Sequence, residues 1–181
     1  KSEIIQKYAT FIDTPPTRDS FTKFSGKNGA IGLLQFTEAL EVRVQANLAP
    51  LLDEYDWSIY RCQDSMTADM PSLVLSTRFE LLPNYTGNLY ADKISFMKAW
   101  EGTLAADTAP LLFPNIDSSP ISIGFTDSFD SDLFEIRESD LRFSNGTNGE
   151  IGYIMIGDHI LIGNNMSCLR NARKQVFDLE A

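Results

Sequence analysis

Positive charge is scarce in this sequence: 15 Lys and Arg stand against 25 Asp and Glu, a formal net charge of -10. Between Lys98 and Arg137 there is no basic residue, whereas Glu101, Asp107, Asp117, Asp127, Asp130, Asp132 and Glu135 all fall in that interval. Binding a nucleic-acid backbone takes clustered Lys and Arg that displace condensed counterions. The only clusters, Arg170 with Arg173 and Lys174, and Lys1 with Lys7, are too small for that, so no nucleic-acid partner is expected. Histidine is scarcer still. His159 stands alone, no GxSxG elbow occurs, and any serine-nucleophile triad would have to recruit that one imidazole. Runs of about 18 apolar residues are missing, so no membrane span is expected within the chain. The two cysteines, Cys62 and Cys168, have no neighbour at zinc-site or CxxC spacing. Two free buried thiols and one disulfide are both compatible with the sequence.

What is present is the material for a core: 43% hydrophobic residues, including 12 Phe, 6 Tyr and 2 Trp. A chain of this size buries about two thirds of its unfolded surface and folds without metal or disulfide support. We expect an N-terminal arm and linker over residues 1–24, with Pro15-Pro16 barring regular helix. A single domain then covers 25–181, with two packed halves joined near 113–120 as a variant. Phe36, Leu40, Val44 and Leu48 recur at helical spacing, as do Phe96, Met97, Trp100 and Leu104 after a capping Asp92. A last helix should run from Ser167 to Leu179, with Arg170, Arg173 and Lys174 facing outward. Alternation over Leu73–Phe79 predicts a strand, and short strands are expected around Trp57–Cys62, 121–125, 133–137, 140–143, 151–156 and 159–162. The expected class is α+β: a mainly antiparallel mixed sheet with three substantial helices. Ala49-Pro50-Leu51-Leu52 recurs as Ala109-Pro110-Leu111-Leu112, either a duplicated helix-turn-strand unit or two helices that happen to stop against proline.

The sharpest polar feature is Asp127-Ser128-Phe129-Asp130-Ser131-Asp132. Asp127, Asp130 and Asp132 could converge on calcium, a hard cation that takes several oxygen ligands. The loop lacks the central Gly and distal Glu of an EF-hand, and solvated loop acids are the plainer reading. Glycines at 29–32, 146–152 and 157–163 match no phosphate loop and read as turns and sheet edges. His159 reads as an edge-strand surface residue. Paired carboxylates for hydrolysis stay open because 25 acids offer many pairs.

Leu51–Tyr60, Met97–Glu101 with Ala109–Phe113, and Asp140-Leu141-Arg142 with Gly152-Tyr153 resemble an uncharacterised group of bacterial membrane-anchored proteins from candidate phyla with small genomes. That group has no established catalytic residues. The resemblance implies a soluble domain on the extracytoplasmic face of the membrane, behind an upstream anchor. In that setting the Asn-X-Ser/Thr triplets mark no glycans and a Cys62–Cys168 disulfide gains plausibility. The expected function is a non-catalytic protein-interaction or structural domain of a cell-envelope protein, whose partner carries a basic surface. A calcium-modulated binding domain and a carboxylate-based hydrolase are the alternatives.

Overall fold

In the computed structural model, which describes residues 2–17, 21–25, 31–63, 70–80, 85–129 and 135–180 (177–180 as backbone only), the alternating segment Leu73–Phe79 is a central strand. In chain order the elements are α1 (Ser2–Asp13), β1 (Phe21–Ser25), α2 (Leu33–Ala39), a one-turn 3-10 helix (Ala49–Leu51), β2 (Leu52–Cys62), β3 (Leu73–Phe79), α3 (Leu89–Trp100), α4 (Leu104–Leu112), β4 (Pro120–Ser122), β5 (Thr126–Phe129), β6 (Glu135–Phe143), β7 (Asn148–Ile156), β8 (His159–Gly163) and α5 (Met166–Glu180). The strands form one sheet in the order β1-β2-β3-β8-β7-β6-β4, with β5 also pairing β6. The fold is α+β. Every pairing among the described residues is antiparallel.

Period-two alternation gives the sheet two apolar faces. On one, Ile59, Leu73, Leu75, Leu141, Ile151, Tyr153, Ile160 and Ile162 pack with side chains from α1 to α4 in the main core. On the other, Tyr60, Val74, Ile154 and Leu161 meet Cys168, Leu169, Ala172 and Val176 of α5. The N-terminal segment, expected as arm and linker, belongs to the main core. Ile4, Tyr8 and Ile12 of α1 are buried there, and the Tyr8 hydroxyl donates to the Leu111 carbonyl at 2.6 Å. β1 pairs β2 from Phe21↔Cys62 to Ser25↔Ser58. The main core is continuous across residues 113–120, with Leu33, Phe36 and Ile59 in the same cluster as Leu141 and Tyr153.

The helix expected over 36–48 stops early. Leu40 caps α2, Glu41 takes the left-handed conformation (φ 63°), and the Val42 and Glu41 amides donate back to the Thr37 and Glu38 carbonyls. This is a Schellman stop with Glu at the position that glycine usually marks. The second helix starts earlier than expected, where the Asn88 side chain accepts the Ala91 amide, and it breaks at Gly102 into α3 and α4. The two Ala-Pro-Leu-Leu copies differ locally. The first forms the 3-10 turn into β2 and the second lies inside α4, so they do not share a helix-turn-strand unit. Arg173, expected outward, is 2% exposed, because it lies one helical turn after Leu169 on the inward stripe of α5.

Two links fasten the layers. Cys62 at the end of β2 and Cys168 in the first turn of α5 form a disulfide across 106 residues of chain. Asn164 is buried where β8 leads into α5. Its amide nitrogen donates to the carbonyls of Pro71 (2.8 Å) and Leu112 (2.6 Å), and its oxygen accepts the Leu73 amide at 2.9 Å. Gly152 makes room for α5, since a Cβ there would lie 2.5 Å from Met166 Sδ.

Replacing both cysteines by alanine should lower stability by about 3–5 kcal/mol, since a loop of this length lies at the upper end of the loop-closure estimate. Urea unfolding of wild type with and without reductant, beside the double variant, checks this. Asn164→Ala strands three buried backbone groups and should cost about 2–4 kcal/mol in the same assay, with the denaturant slope unchanged.

Candidate functional site

Three simple periodicities line one groove. Tyr90, Ile94 and Lys98 fall four residues apart on α3, Glu135 and Arg137 two apart on β6, and Tyr153 and Met155 two apart on β7. Together they enclose about 330 Å³ between α3 and the main-core face of the sheet. In register, Arg137 lies opposite Asp127 of β5 on one side and Tyr153 of β7 on the other, so an acid, a base and a phenol form one cross-strand row.

Arg137 is the centre of that row. Its Nε and Nη2 donate to the two carboxylate oxygens of Glu101, both at 2.8 Å, and its Nη1 donates to Asp127 Oδ1 at 3.0 Å. The Tyr153 hydroxyl donates to Glu101 Oε1 at 2.6 Å. Glu101 caps the C-terminal end of α3, so this fork ties the helix to the sheet. The Arg137 and Glu101 side chains are 19% and 14% exposed, sheltered enough for the bidentate geometry to count.

The network sets protonation. Hydrogen bonds to Glu101 push the Arg137 guanidinium further above its ordinary value, and burial followed by the bond to Glu101 pushes the Tyr153 phenol up, so it stays a donor. Asp127 is held below the ordinary 3.8, first by its hydrogen bond from Arg137 and then by one from Glu135. Glu135 is held above the ordinary 4.5 by the same bond to Asp127. Both side chains are solvent-exposed at the rim of the groove. The one guanidinium of the arrangement already has carboxylate partners.

Asp127, the first of the three residues expected to converge on calcium, is engaged by Arg137 on β5. Asp130 and Asp132 lie outside the described residues, and no group of three or more His, Cys, Asp or Glu suited to a metal occurs among the described ones. His159 opens β8, a central strand between β3 and β7 rather than an edge, opposite Arg78 and Ile156. Sequence reasoning missed Lys98, Glu101, Arg137 and Tyr153. The available signal was Arg137 itself, the residue that ends the long basic-free interval at an alternating strand position. A second, more open hollow of about 360 Å³ lies between α4 and the segment leading to β4, lined by Ala106, Pro110, Phe113, Ile116 and Asp117 among others. No protein-family model matches the chain, and neither a curated protein nor a solved structure shows a match.

The two displaced carboxyls act on stability with opposite signs. Asp127, with a lowered folded value, contributes stability that is fully present above pH 3.8 and is lost as pH falls below 3.8 through the folded value. Glu135, with a raised one, contributes stability below pH 4.5 that is lost as pH rises through its folded value. A carbon-detected NMR titration should place the Glu135 midpoint above 4.5 and the Asp127 midpoint below 3.8, and Asp127→Asn should lower the Glu135 midpoint. Two ordinary midpoints would show that neither carboxyl is displaced.

Proposed function

We propose that this chain is a non-catalytic protein-interaction domain of a cell-envelope protein, placed on the extracytoplasmic face of a bacterial membrane. The position of the exposed apolar side chains carries the interaction reading. Ile121 and Ile123, on and after β4, are exposed together on the face of the sheet that carries α5, and Tyr90 and Phe129 are exposed on the groove side, while Ile5, Leu34 and Tyr55 are exposed singly elsewhere. Exposed apolar groups concentrated in one region mark contact surfaces more often than scattered ones do. The groove beside them offers pre-paired charges instead of a nucleophile held by a base. The disulfide supports the location, because such bonds persist mainly in oxidising compartments. No helix of the described residues is long and apolar enough to cross a membrane. The resemblance to membrane-anchored candidate-phylum proteins agrees with this placement.

One observation favours a second reading, a carboxylate-based hydrolase: Asp127 and Glu135 are displaced in opposite directions, as an acid and a base sharing a site would be. Their solvent exposure argues against it, since catalytic carboxyls are tuned by burial in a cleft. The two readings separate in one assay. Under the interaction reading, the purified disulfide-bonded domain turns over a panel of nitrophenyl glycosides and esters no faster than buffer does. Turnover that Glu135→Gln abolishes, with the fold intact by circular dichroism, would overturn it in favour of the hydrolase.

A further inference from the structure

We propose that the strip of sheet formed by β4 and the distal half of β6, on the face that carries α5, docks a basic amphipathic helix of a protein partner. The inference rests on the interaction reading and names its surface. α5 packs across β7, β8, β3 and β2 and stops short of β4. Beyond it, Ile121 lies opposite Arg142 on that face, and Ile123 follows two residues later with its amide bonded to the Asp140 carbonyl. The two isoleucines are 67% and 60% exposed. Strands lie about 4.8 Å apart and a helix is about 10 Å wide, so the uncovered strip has the width of one further helix beside α5.

Charge selects the occupant. On the same face of the described residues of β4, β6 and β7, the exposed Asp140 and the half-buried Glu138 and Glu150 stand against one basic residue, Arg142. Asp140 lies directly opposite Glu150, and like charges at opposite strand positions are destabilising. Glu150 also accepts the Met166 amide, which fixes it in place at the start of α5. A lysine or arginine arriving between these carboxylates relieves the repulsion, while an apolar stripe on the same helix covers Ile121 and Ile123. A second copy of this chain would set the same acids against each other, and an anionic lipid surface would be repelled.

The test uses a synthetic 18-residue amphipathic peptide with a leucine stripe flanked by lysines, and a control with glutamates in place of the lysines. Fluorescence anisotropy should show saturable binding of the lysine peptide only, weakened by salt. Ile121→Asp and Ile123→Asp, both surface changes, should each weaken binding tenfold or more. Asp140→Lys should weaken binding while raising the melting temperature of the free domain, because it removes a like-charge pair. Amide shifts in NMR spectra should fall on β4, distal β6 and the start of β7. No binding of the lysine peptide, binding indifferent to Ile121→Asp and Ile123→Asp, or shifts confined to the groove would each overturn the proposal. The last result leaves the interaction reading standing, whereas hydrolysis abolished by Glu135→Gln removes that reading itself.

Discussion

Three segments that are remote in sequence meet at the Asn164 side chain: the entry to β3, the end of α4 and the junction of β8 with α5. A buried amide is tolerated only when its donors and acceptor all find partners, and here both donors and the oxygen do. The geometry is exclusive. Sliding β3 against β8 by one residue would break the contact with Leu73 and carry Leu73 and Leu75, which face the main core, to the side that packs on α5. Asn164 therefore fixes the central register, and the faces of β7 and β6 follow from it through pairing alone. The disulfide fastens α5 to the opposite flank, on β2.

With the register set, the two faces diverge toward the β4–β5 edge. On the main-core face, Arg137 donates to Glu101 and Asp127 and Tyr153 donates to Glu101, so polar groups that burial would penalise are paired within the protein. On the opposite face Asp140 and Glu150 stand across from each other, and Glu150 is met by the Met166 amide instead of a basic side chain. One side of the same strand is thus electrostatically closed and the other open. β6 carries both because successive residues alternate sides: Arg137 belongs to the first and Glu138 to the second.

The class of fold was legible because its signals are local: alternation over Leu73–Phe79, the stripe along α5, and turn residues at Gly146 and Gly157, both with positive φ. Other features were illegible for definable reasons. Glu41 adopts a conformation its side chain disfavours, so the end of α2 had no glycine to announce it. β1 is short and half-buried with no clean alternation, and only β2 selects it. Arg173 was read by chemistry, outward, when helical angle placed it inward beside Leu169. The groove depends on contacts between α3, β5, β6 and β7, whose partners lie up to 52 residues apart, and no window along the chain contains them. Cys62 and Cys168 were likewise undecided until the ends of β2 and α5 were seen to adjoin.

The covalent bridge between β2 and α5 also divides the chain by how it would carry a mechanical load. A pull applied at the two ends would run through residues 1–62, cross the sulfur–sulfur bond and leave along α5, bypassing residues 63–167. β3, β8, β7 and β6, with the groove and the strip beside β4, sit inside that bypass. Edge strand β1 and helix α1 would yield first under tension, while the groove and the strip beside β4 would be loaded only through the hydrogen bonds between β2 and β3.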